Sequence, residues 1–224
     1  MQSSAGRLVA GQPALVALLA GLSVVGWAWS LRMPHAHHGA SLAALFVMWT
    51  TMMVGMMIPP EAPTLLRLGC AHRFPAATRF LAGFLAPWIL FSFAAAALHS
   101  WLQESGLLDH QMAMNSSALA AVLLLAAGAL QLSPLKRACL ARCREAPPGE
   151  QLFAAGLSRS LLSIGSCGLL MLALFSTGVM SLPAMALLTL LLLLEHWPLR
   201  GMAVSNGAGI LLLLAGATKF GGIW

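Results

Sequence analysis

Long apolar runs, separated by short polar clusters, organise the chain. Pro13–Leu31, Ser41–Ile58 and Met112–Leu132 contain no Asp, Glu, Lys or Arg. Phe80–Leu102 is similar, with His99 inside it, and Ser160–Met180 is another uncharged run. Leu182–Leu199 and Gly201–Thr218 follow, divided by "EHWPLRG". About 20 apolar residues in a helix cross a hydrocarbon core of about 30 Å. A helix also satisfies its own backbone polar groups in lipid. The pattern therefore predicts an all-α, polytopic transmembrane bundle of about seven helices, over residues 13–31, 41–58, 80–102, 112–132, 157–180, 182–199 and 201–218. The whole of 1–224 reads as one integral membrane domain. Pro59, Pro60 and Pro63 are expected to end the second helix, because proline lacks the N–H and blocks continuation.

Composition supports this class. The chain is 59% hydrophobic and only 8% charged, against about a quarter charged in a soluble domain. The net charge of +6 then becomes a matter of orientation. With the N-terminus cytoplasmic, Arg7, Arg67, Arg73, Arg79, Lys136, Arg137, Arg142, Arg144, Arg159 and Arg200 fall inside, and only Arg32 and Lys219 outside. That bias is the positive-inside pattern of a multi-pass membrane protein. It calls for a lipid bilayer as partner and for no nucleic acid. The first run follows Arg7 as a signal peptide would, but its apolar length fits a retained helix better.

Soft donors are concentrated in "TMMVGMMIPP", residues 51–60. Met48, Met52 and Met56 recur every four residues and share one helix face, with Met53 and Met57 on a neighbouring stripe. Methionine fills irregular apolar gaps, and its thioether also selects Cu(I) over hard cations. In the fifth run, Ser160, Ser163, Cys167 and Met171 lie on one face, and Cys167 falls at a depth comparable with Met56. Two polar stretches at the cytoplasmic side hold Cys70 and His72 ("GCAH") and Cys139 and Cys143 ("CLARC"). Four such ligands suit a tetrahedral zinc or Cu(I) site, and thiols on that side stay reduced. On the outer side, "HAHH" supplies His35, His37 and His38, imidazoles that suit copper, nickel or zinc. Glu195 and His196 end the sixth run, and a carboxylate there needs a partner or a function. Gly201, Ser205 and Gly209 form a small-residue face for close helix packing.

Walker A, dinucleotide-binding, Gly-x-Ser-x-Gly and HExxH motifs are absent from the sequence. The segments "WTTMMVGMMIPPEAP", "FLAGFLAPWILFS", "QLSPLKRACLARCREAP" and "GSCGLLMLALFSTGVM…LLLLLEHWPLRG" occur in an order that resembles a bacterial family of predicted metal-binding integral membrane proteins, a domain of unknown function. The resemblance covers about residues 40–217. It implies that Met52, Met56, Met57, Cys139, Cys143, Cys167 and Glu195 occupy family-motif positions. The expected function is handling of a soft transition metal, copper first and zinc as the alternative, with a metallochaperone or a membrane oxidase subunit as partner. A structural or assembly subunit without catalytic activity, or a metal-dependent membrane redox enzyme, would use the same residues differently.

Overall fold

The computed structural model describes residues 12–32, 41–72, 74–109, 112–144, 151–179, 181–196 and 201–221. They form helices α1 (Pro13–Arg32), α2 (Leu42–His72), α3 (Phe74–Glu104), α4 (Ser117–Leu132), α5 (Pro134–Arg144), α6 (Leu152–Leu172, continued by a 3₁₀ turn Ala173–Ser176), α7 (Leu182–Glu195) and α8 (Gly201–Phe220). The all-α class holds. Among the described residues, five helices are long and apolar enough to cross a membrane: α1, α2, α3, α6 and α8. The α4–α5 pair passes the same test only when taken together, and it is bent by 59°. The seventh expected span, α7, has 14 residues, fewer than the roughly 20 that a full crossing needs.

The largest departure from the expected boundaries is α2. It runs through Pro59, Pro60 and Pro63 to His72 as one helix of 31 residues. Those prolines withdraw the donors that would meet the carbonyls of Gly55, Met56 and Pro59. The helix survives because neighbours hold it on several sides: α1, α3 and α7 pack along it, and Arg159 bonds to Glu61 and Thr64 just past the first two prolines. Packing of this kind lets apolar helices tolerate internal proline. The stretches expected as polar loops around residues 59–79 and 133–144 are thus largely helical.

Two helix pairs form the frame. α3 and α6 cross at Gly83 and Gly156, where a Cβ on Gly83 would collide with the Phe153 carbonyl and one on Gly156 with that of Phe80. α4 packs along α8 through its small face, with Gly201, Ser205 and Gly209 all buried. The end of the bundle where α2 turns into α3 carries exposed Arg67, Arg79, Arg137 and Arg142, and is called the basic end below. At the opposite end stand residues 107–109 and 112–116. Leu108 and Met114 form a bridge there, and the Met114 N–H donates to the Phe175 carbonyl at 2.8 Å.

Candidate metal centre

α2 carries its methionines inward. Met48, Met52, Met53, Met56 and Met57 are all buried, as are Cys167 and Met171 on α6, and all seven belong to one contiguous core. α2 and α6 are not among the closely packed helix pairs, so side chains fill the space between them.

Two cross-links fix the register across that space. Towards the opposite end, Trp49 lies against Phe175 with ring centroids 5.4 Å apart. Towards the basic end, Arg159 pairs with Glu61 at 3.0 Å. The two helices therefore run antiparallel. Interpolation between the links puts Met52 level with Met171, and Met56 close to the level of Cys167. Thioether- and thiol-bearing residues of separate helices thus stand at comparable levels of one buried core.

Each level has a polar boundary. Above, the Trp49 indole N–H donates to Nδ1 of the buried His99 at 3.3 Å. Nδ1 then accepts, so the neutral ring carries its proton on Nε2. Phe175 packs edge-on against His99 at 5.5 Å. Below, Arg159 Nε donates to Glu61 Oε2 at 3.2 Å and its Nη2 to Thr64 Oγ1 at 3.1 Å. Between them, the Cys167 thiol donates to the Ser163 carbonyl at 2.9 Å.

Glu195 sits beside this core with a partner the sequence did not suggest. Lys136 reaches in from α5 and bonds Glu195 Oε2 at 2.7 Å, with both side chains fully buried. The same ammonium donates to the Ser166 carbonyl at 3.0 Å. Gln131 Nε2 donates to Glu195 Oε1 at 2.6 Å, and Ser205 donates to the Gln131 carbonyl at 3.2 Å. The network joins the α4–α5 bend to the end of α7 and the start of α8. Lys136 was legible only as one more basic residue. The signal that could have found it is its spacing with Cys139, Leu140 and Cys143, which forms the buried stripe of α5. Arg159 and His99 were likewise missed as core residues.

The remaining candidates are spread out. Cys139 faces α6, its sulfur 3.8 Å from where a Cβ on Gly165 would stand. Cys143 is buried on the same stripe, within electrostatic range of Arg159, Glu61, Cys139 and Cys167. Cys70 is exposed and lines a cavity with Gln12, Leu15, Gly69 and Phe74, on the α1 side. It is therefore not gathered with the α5 thiols. The side chain of His72, and all of His35, His37 and His38, lie outside the described residues. Among the described residues, no three His, Cys, Asp or Glu converge as a metal site. A metal in the core would rest chiefly on thioethers, and that donor set fits Cu(I) and not zinc, whose ligands are thiolate, imidazole and carboxylate.

A family model described as copper chaperone, PpoB2, matches residues 46–218. The chain belongs to the PpoB2 copper chaperone family. The match spans α2 to α8, and so includes these methionines, Cys167 and the α5 thiols. No curated protein and no solved structure matches the chain.

Proposed function

We propose that the protein is an integral membrane copper chaperone that holds Cu(I) in its core between Met52, Met56, Cys167 and Met171. The observation that carries this is the α2–α6 register, with methionines and a cysteine at comparable levels and, among the described residues, no group of three His, Cys, Asp or Glu. Soft sulfur donors hold Cu(I) and discriminate against hard cations. Family membership supports copper as the cargo. Five apolar helices of membrane length and the basic end support a multi-pass protein of the bacterial cytoplasmic membrane. Met53 and Met57 line the same core and are reserve donors.

The outer-side histidines, His35, His37 and His38, collect the ion in this reading. Cys139 and Cys143, with Cys70 and His72 at the same end, serve release to a metallochaperone or a membrane oxidase subunit. Both oxygens of Glu195 are engaged by protein donors, so it supports the core and leaves coordination to sulfur. The chain transfers an ion and catalyses no bond-making on a substrate.

The test is elemental analysis of protein purified from copper-supplemented cells. The wild type is expected to carry copper in stoichiometric amount. A Met52→Leu, Met56→Leu, Cys167→Ser triple variant is expected to carry none. Wild-type protein without copper, or a triple variant with its full complement, overturns the reading.

A further inference from the structure

Met112 stands out at the opposite end of the bundle. Its backbone is left-handed, with φ +58, and it is the one non-glycine residue of that kind among those described. Such a conformation is unfavourable for an L-residue. The segment is held tightly around it. The Asp109 N–H donates to the Ala113 carbonyl at 2.8 Å, the Ala113 N–H to Asp109 Oδ1 at 2.8 Å, and the Met112 N–H to the Asp109 carbonyl at 3.0 Å. The result is a thioether turned inward: Met112 is 4% exposed and joins the same core as Met48, Trp49, Phe175 and the lower methionines.

The levels are informative. Met114 is bonded to the Phe175 carbonyl, and Phe175 stands against Trp49. Met48 is the next residue on α2, one helical turn above Met52, which is one turn above Met56. Met56, Met52 and Met48 thus continue upward on α2 at a rise of about 6 Å each, and Met112 belongs to the same buried cluster from the segment beyond them.

We propose that Met112 is the uptake site through which Cu(I) enters the core from the opposite end and passes to Met48, a member of the same buried cluster. This rests on the copper reading above. Movement down the ladder is ligand exchange: one Cu–S bond forms as another breaks, copper stays Cu(I), and no proton moves because thioethers carry none. Met112 thus offers the first thioether at that end, so harder ions are not drawn inward.

The alternative is that Met112 is only an apolar plug, a role that leucine fills equally well. The experiment uses full-length protein with [¹³C-methyl]methionine, titrated with Ag(I) as a redox-inert stand-in for Cu(I). Resonances are assigned with single Met→Leu variants. Met112→Gly, which suits the positive φ, is the second variant should Met112→Leu fail to fold. The Met112 and Met48 methyls are expected to shift along with Met52 and Met56. Both Met112 variants are expected to load Met52 and Met56 about tenfold more slowly, to the same final occupancy. Shifts at Met52 and Met56 with Met112 and Met48 unmoved, or wild-type loading rates in the variants, overturn the uptake site and leave the copper core standing. No methionine shift at all overturns both.

Discussion

The Lys136 ammonium and the Glu195 carboxylate meet at 2.7 Å with no exposure to solvent on either side chain. Burying such a pair is expensive, and its attraction offsets that cost only when the remaining donors and acceptors are also met. Here Gln131 and the Ser166 carbonyl supply them. Removing one partner strands a charge. Lys136→Met is expected to destabilise the protein by about 3–5 kcal/mol, and Lys136→Met with Glu195→Leu to recover most of that. Thermal unfolding of the two variants in detergent measures the difference. Equal losses in both would show that the pair is not the unit that matters.

The Glu61–Arg159 link obeys the same rule and adds a functional consequence. Their side chains are 4% and 10% exposed, and they set the α2–α6 register. Arg159→Met is expected to cost about 3–5 kcal/mol and to weaken copper retention as well, because Met56 and Cys167 lose their alignment. Copper content measured beside melting temperature checks both. Full retention in a destabilised variant would show that the sulfur donors do not depend on this cross-link.

Methionine and leucine have similar volumes, so binding can be separated from packing. Met52→Leu and Met56→Leu are each expected to change stability by less than about 1.5 kcal/mol while lowering copper occupancy. Competition against a Cu(I) chelator, with melting curves on the same samples, reads both quantities. Unchanged occupancy with a large stability loss would return these residues to core filling.

Thiol reactivity maps the arrangement. Cys70 is exposed, and Cys139, Cys143 and Cys167 are buried. Cys70 is expected to react promptly with a maleimide in folded protein, and the other three only after denaturation. Mass spectrometry of labelled peptides reports each site. Prompt labelling of Cys139 or Cys143 would mean that α5 does not rest on α6.

The sequence makes the class plain because apolar length and helical period are local properties. The buried stripe Met48, Met52, Met56 and the depth of Cys167 follow from counting along single helices. Partnership does not. The spacing of Lys136 with Cys139, Leu140 and Cys143 sets it apart from Arg137, which stays exposed, but its partner is not local: it depends on the 59° bend after α4 and on a carboxylate 59 residues away. Pro59, Pro60 and Pro63 carry a strong local stop signal, and tertiary packing from α1, α3, α7 and Arg159 overrides it. His99 reads as interfacial from its position near the end of a span, yet Trp49 and Phe175 enclose it. The four-ligand set of Cys70, His72, Cys139 and Cys143 was a grouping by side of the membrane. Position around the bundle separates Cys70 from the α5 thiols.

X-ray absorption at the copper edge, on copper-loaded protein, tests the central claim most directly. A Cu(I) ion surrounded by sulfur alone, with the signal lost in the Met52→Leu, Met56→Leu, Cys167→Ser variant, is the predicted result. A first shell of nitrogen or oxygen, or a sulfur shell that persists in that variant, would contradict it.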